Sequence, residues 1–198
     1  MRRGFKAHAE RLSLETRDRL GIRNDAAIDP IELVQSKGCL VWTPQEVPEL
    51  DVSHLTQLTI SDPDSWDAVT IKEGDSTVIV VNNTRPAARQ ANTIMHEWAH
   101  LELKHKPSRV DEFENGLLLL SDYPKELEDE ADWLSGAMLA PREGLVSLRR
   151  RGLDDDQIAE IFGISSELAT WRIRMTGIDR QIRRRYYQLR ETNAVYCG

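Results

Sequence analysis

The stretch TIMHEWAHLELKH, residues 93–105, holds three of the chain's five histidines and two of its glutamates. On a helix, His96 and His100 stand about 40° apart around the axis and about 6 Å apart along it. Two imidazoles on one face can reach a single tetrahedral Zn²⁺. Glu97 is too close in sequence to share their coordination comfortably, but well placed to take a proton from a water that the metal activates. Trp98 points about 160° away from the two imidazoles, so it can anchor the helix in a core while the histidines face a cleft.

Two histidines do not complete a catalytic metal site; a third protein ligand and an open position are needed. A third histidine in the pattern HExxHxxGxxH is absent, because Leu103 stands at the glycine position and Lys106 at the histidine position. His105 is one place off and lacks the glycine that would turn the chain back. In the last turn of a helix it is favourable through the helix dipole alone. The alternative is a later glutamate, and KELEDEADWLSGAMLAP (125–141) offers Glu126, Glu128 and Glu130. Glu128 is the best choice, since Asp132 one turn beyond it can orient a ligand histidine through its second nitrogen. An acidic run of this kind also suits a solvated helix face. His8 and His54 have no partners in sequence and read as structural or surface residues.

These residues need elements to hold them. Pro86 opens a helix running to about His105, closed by basic residues and Pro107. A second helix spans about Lys125 to Leu139 and stops before Pro141. Leu127, Ala131, Leu134 and Met138 recur along it at helical spacing, so it packs inward. Upstream, helices are expected over about Gly4–Leu20 and Pro30–Lys37, with Gly38 at the second one's end. CLVWT (39–43) is a strand, and a short helix lies around Leu50–Thr59. WDAVTI and TVIVVNN flank the turn-rich KEGDS as a β-hairpin. Residues 107–124, with GLLLLSDY, form a connector of no clear type. Helices follow at about 142–150, 154–162, 165–175 and 178–190. Strands in the first half and helices in the second indicate an α+β fold. The expected division is 1–141 and a helical C-terminal lobe, 142–198, packed as part of the same unit.

The chain's 198 residues, 40% hydrophobic and 30% charged, suit one soluble globular unit able to bury a core without staples. No stretch approaches the roughly 20 apolar residues of a membrane span, and the basic N-terminus reads as an amphipathic helix rather than a signal peptide. Cys39 and Cys197 are too few for a disulfide framework, so the cytoplasm is the expected location. A net charge of −7 argues against a general nucleic-acid binder.

HEWAHLELKH, then ELEDEADWLSGAMLAP, then IAEIFGISSELATWRIRMTG together resemble the ImmA/IrrE family of zinc metallo-endopeptidases. VIVVNNTRPAARQANTIMHE is similar to that family's strand, loop and active-site helix. The resemblance covers most of residues 5–180. It implies His96 and His100 as zinc ligands, Glu97 as general base and Glu128 as third ligand, with Ala131 and Asp132 completing its motif. "LAP" replaces an "LMP"-like ending and Trp133 follows the aspartate; neither touches a ligand. A repressor-like DNA-binding module, which some members carry at their N-terminus, is not seen here.

The implied activity is hydrolysis of a peptide bond in a regulatory protein, a helix-turn-helix repressor being the expected partner. TVIVVNN could pair with extended substrate by β-addition or be a plain sheet member. Tyr123, His105, Arg172 and Arg174 are candidate oxyanion donors. A competing reading is a DNA-binding regulator or toxin–antitoxin component. Residues 155–174 fit a helix-turn-helix, and Arg149–Arg151, Arg172, Arg174, Arg180 and Arg183–Arg185 make the C-terminal third locally basic. Against it, SSELATWRIRM opens with an acidic residue and carries its arginines at the far end, so a helical hairpin packed through Trp171 and Ile173 is favoured over DNA contact.

Overall fold

The computed structural model describes residues 1–113 and 116–182. The chain begins with α1 (Phe5–Leu20), α2 (Pro30–Ser36) and β1 (Cys39–Trp42). A short helix α3 (Val52–Thr56) runs on into one wider π-helical turn, Gln57–Ser61. The hairpin follows as β2 (Ala68–Glu73) and β3 (Ser76–Val81), then α4 (Ala87–Glu102), β4 (Arg109–Glu112), β5 (Leu118–Ser121) and α5 (Lys125–Leu139). Three helices complete the fold: α6 (Arg142–Arg150), α7 (Asp155–Phe162) and α8 (Ser166–Thr176). Residues 178–182 are helical. The rest of the helix expected over 178–190, with Arg183 to Arg185 and Cys197, lies outside the described residues. Among the described residues, no helix is long and apolar enough to cross a membrane.

The fold is α+β, with one five-stranded sheet in the order β1-β3-β2-β5-β4. β1 runs parallel to β3 and the other neighbours are antiparallel. β3 therefore has partners on both sides and its backbone groups are used within the sheet. The possibility that TVIVVNN adds a substrate strand is overturned by this placement, since β-addition needs a free edge. Its run of valine and isoleucine suits a central strand with little exposed surface.

The connector at 107–124 contains two strands that the sequence did not reveal. β5 lies between β2 and β4 and is half-buried along its whole length. A strand shielded on both faces needs no polar alternation, so its LLLS run lacks the period-2 signal.

α4 and α5 pack against each other, and both are apolar where they meet the interior. Ile94, Met95, Trp98 and Ala99 are buried on α4, and Ala131, Trp133, Leu134, Ala137, Met138 and Leu139 on α5. The start of α4 is fixed by polar bonds to the loop before β2. Asn82, fully buried, donates to Pro63 O and Trp66 O and accepts from the Thr84 amide. Arg85 and Arg89 both pair with Asp67.

α1 crosses α5 and carries an unusual buried face in which Ser13, Thr16 and Arg17 sit beside Phe5 and Ala9. Ser13 Oγ donates to Ala137 O at 2.7 Å. The Arg17 guanidinium donates to Met138 O, Leu139 O, Arg23 O and Ala26 O. The last carbonyls of a helix have no partner within it, so Arg17 closes the end of α5 while tying the loop after α1 to it.

A single cluster of buried side chains runs from Phe5 to Ile178, so the interior is continuous across the expected boundary at 141/142. α7 and α8 form a helix-turn-helix-shaped hairpin. Asp154 and Gln157 make a reciprocal cap on α7, Gly163 ends it with φ +67°, and Ser165 caps α8. α8 turns Ile173 inward, with Trp171 against Trp133. Arg172 is also fully buried, donating to Ala140 O and pairing with Glu10. Arg149 is held by Asp155 and Asp179.

α6 docks through its first turn, where Gly144 meets the loop after α1. A Cβ there would stand 1.9 Å from Asn24 O, which no side-chain rotation can relieve. Gly144→Ala is expected to lower stability by about 1–3 kcal/mol through forced backbone displacement, read as a reduced urea midpoint with an unchanged slope.

Candidate metal centre

α4 and α5 bring His96, His100 and Glu128 to one point. His96 Nε2 lies 3.1 Å from His100 Nε2 and 3.1 Å from Glu128 Oε2, and His100 Nε2 lies 3.6 Å from the same carboxylate oxygen. A tetrahedral ion with nitrogen and oxygen ligands at about 2.0–2.2 Å separates its ligand atoms by about 3.3–3.6 Å. One separation falls in that range and the two at 3.1 Å lie just below it.

The second nitrogens of the two histidines decide where their protons sit. His96 Nδ1 is 3.0 Å from Asp132 Oδ1. A carboxylate only accepts, so Nδ1 carries the hydrogen and Nε2 is left with its lone pair. Burial works against a proton on His96, but the bond and charge of Asp132, with the charges of Glu97 and Glu128, outweigh it and raise its pKa. His100 is pulled down to about 3 by burial and by His96 and His105, so it is a neutral imidazole. Two imidazole nitrogens and a carboxylate oxygen converge on one point, where a cation, or a proton on His96 Nε2, would hold them together. The donor set, two imidazoles and one carboxylate, suits a divalent transition metal.

Among the three glutamates, only Glu128 reaches this point. Glu126 is exposed, and Glu130 is turned to the other side of α5 and buried. Asp132 occupies the orienting place expected from its spacing.

Glu97 lines the same cleft, a space of about 230 Å³ walled by Ala68, Val69, Leu119, Leu120 and Tyr123. Thr70 Oγ1 donates to Glu97 Oε2 at 2.5 Å. Burial pushes the Glu97 carboxyl up, while the Thr70 bond and the His96 charge pull it back. Thr70 was not singled out from the sequence. Its place follows from register: it pairs with Ile79 and with Leu120, so all three lie in one row on the face under α4. A hydroxyl among the apolar residues at the start of β2, Ala68, Val69 and Ile71, is the signal it left.

Tyr123 stacks on His100, with ring centroids 3.7 Å apart, and burial raises its hydroxyl to about 12. Of the four candidate oxyanion donors, it alone lines the cleft among the described residues. Arg172 is inside the helical lobe, Arg174 faces a separate groove with Asp155 and Asp179, and His105 is engaged elsewhere.

His105 is not among the clustered groups, and it lies beyond the helix rather than in its last turn as expected. α4 ends at Glu102, and Lys104 takes φ +54°, so the chain turns back without the glycine that was thought necessary. The Lys104 amide donates to Leu101 O and the His105 amide to His100 O, a paired closure that folds the residue two past the helix over its last turn. The His105 ring thereby meets the His100 ring. His8 and His54 are exposed and remote from the cluster.

Thr70→Val keeps the shape of the side chain and removes the hydroxyl. The Glu97 carboxyl is then expected to titrate at higher pH than in the parent chain, because the hydrogen bond that holds it down is gone. Carbon NMR of the labelled glutamate carboxyl would read this, and an unchanged or lower midpoint would refute it.

The chain matches the Peptidase_M78 model, described as the IrrE N-terminal-like domain, over residues 54–174. That span includes β2, α4, β5, α5 and the hairpin α7–α8, and it crosses position 141. No curated protein and no solved structure matches the chain. With more than half of its length matched and a cluster of two histidines and a glutamate able to hold a metal, the chain belongs to the Peptidase_M78 family of IrrE N-terminal-like domains, a family of metallopeptidases.

Proposed function

We propose that the protein is a zinc-dependent endopeptidase of the cytoplasm that cuts a regulatory protein, a helix-turn-helix repressor. The observation that carries this reading is the convergence of His96 Nε2, His100 Nε2 and Glu128 Oε2 beside the buried carboxyl of Glu97. Zinc held by these three would polarise the scissile carbonyl and make a water acidic enough to ionise near neutral pH. The repressor as substrate rests on the resemblance to the ImmA/IrrE family.

Each of the chain's own groups has a part in this scheme. Glu97 takes the proton of the attacking water and passes it to the leaving amine. Thr70 restrains the oxygen of Glu97 that does not take the proton, so that the other faces the cleft. Asp132 fixes the His96 ring by its bond to Nδ1. Tyr123, kept protonated by burial, donates to the oxygen on which charge develops. Ala68, Val69, Leu119 and Leu120 offer an apolar wall to a side chain next to the scissile bond. β4, beside the cleft-lining β5, is the sheet edge on the cleft side and the one proposed to pair with an extended substrate.

The test uses the zinc-loaded chain and the repressor encoded nearest to it. The parent chain should bind one zinc and cut the repressor. His96→Ala and Glu128→Ala should lose the metal. Glu97→Gln should keep the metal and lose about 10²–10⁴-fold in cleavage rate. If neither the parent nor Glu97→Gln cuts the repressor, that substrate is wrong. Equal cutting by both would remove Glu97 from the chemistry.

A further inference from the structure

We propose that His105, Glu130 and Arg2 are positioning residues for the metal, a chain of polar contacts that runs inward from the surface and fixes the ring and tautomer of His100. The proposal rests on the metal-centre reading and extends it to residues outside the ligand set.

His105 Nδ1 lies 3.1 Å from His100 Nδ1, with the rings 5.1 Å apart and at 75°. Only one proton fits between two facing nitrogens. On the far side, His105 Nε2 is 3.5 Å from Glu130 Oε2, and this buried nitrogen makes no closer bond. Glu130 is 1% exposed, and its two oxygens accept from the Arg2 amide, Nε and Nη2 at 2.6–3.0 Å.

The Glu130 carboxylate facing His105 Nε2 favours one arrangement of the protons. A carboxylate can only accept, so the His105 hydrogen sits on Nε2 and its Nδ1 is bare. The bare Nδ1 can only accept, so His100 carries its hydrogen on Nδ1 and presents a bare Nε2 to His96 and Glu128. The reverse arrangement would set the bare Nε2 of His105 against the carboxylate and aim the His100 hydrogen into the ligand cluster. A metal-ligating histidine ordinarily hands its second N–H to a carboxylate or carbonyl directly. Here His96 does so through Asp132, whereas His100 reaches its carboxylate through a second imidazole.

The three residues come from separate parts of the chain: the turn after α4, the middle of α5 and the segment ahead of α1. The Arg2 side chain is 67% exposed, so the outer end of the chain of bonds can be altered without opening the core.

The experiment measures zinc affinity by chelator competition on the full chain, alongside thermal unfolding of the metal-free form and the visible spectrum of the Co²⁺ form. His105→Phe should weaken zinc about 10–100-fold and change the Co²⁺ spectrum. His105→Gln, whose carbonyl can accept from His100 Nδ1, should recover much of the affinity. Arg2→Ala should weaken zinc less, with metal-free unfolding unchanged. Parent-like zinc binding by His105→Phe overturns the proposal and leaves the metal centre standing. So does equal impairment of the Phe and Gln forms in step with lost metal-free stability. A parent chain that takes up no zinc overturns the metal centre itself.

Discussion

The arrangement on which the rest of this structure depends is the approach of three electron pairs to one point. His96 and His100 each turn one ring nitrogen outward, to Asp132 and His105, and one inward, and Glu128 adds a carboxylate oxygen. Unpaired acceptors held 3.1–3.6 Å apart are unfavourable by themselves, so the scaffold must hold α4 and α5 at a fixed distance. It does so with nearly continuous apolar contact along α5 and with polar bonds at the helix ends. Preorganisation of this kind leaves little to be rearranged when a cation arrives.

Two buried arginines supply much of that rigidity. Arg17 binds the terminal carbonyls of α5 from one side, and Arg172 binds Ala140 O just beyond them from the other. A buried guanidinium is costly, and the cost is offset by the carbonyls and charges it meets; here Arg17 Nε and Arg172 Nη1 are left without a hydrogen-bond partner. Arg17 has four backbone carbonyls, and Arg172 has Glu10 on α1 as its counter-charge. α1 and α8 are in this way fastened to the same end of the helix that carries Glu128. The C-terminal lobe belongs to the machinery that fixes the metal cluster, which accords with a family match that runs on to residue 174.

The sequence made the ligand geometry legible because helical spacing alone sets it. His96 and His100 differ by four positions, and so do Glu128 and Asp132; either pair is one turn of helix. The hairpin and the strand at 39–42 were also legible, from alternation and turn residues. Contacts set by register or by a helix end were not. Thr70 meets Glu97 only once β2 is aligned with β3 and β5. His105 was judged by the absence of a glycine, and the turn it needed was made by Lys104 at φ +54°. β5 escaped notice because a half-buried strand between two others carries no alternating pattern, and β4 because it is a short, charged edge strand. Glu130 looked like part of a solvated acidic run until Arg2, 128 positions away, was found bonded to it.

The hairpin α7–α8 shows how a shape can outlast the charges that would give it another use. Its sequence resembles a helix-turn-helix, and an isolated reading of its arginines suggests a nucleic-acid surface. Phosphate contact needs cations that are exposed and unpaired. Arg172 instead lies in the core against Glu10, and Arg149 is held between Asp155 and Asp179. Trp171 packs edge-on against Trp133 of α5. The face of α8 that a DNA reader would present is thus partly consumed in gripping α5, one turn from the carboxylates that serve the metal cluster. Freeing Arg172 for DNA would leave the half-buried Glu10 without its counter-charge and Ala140 O without the Arg172 donor, so the two uses of this helix oppose each other.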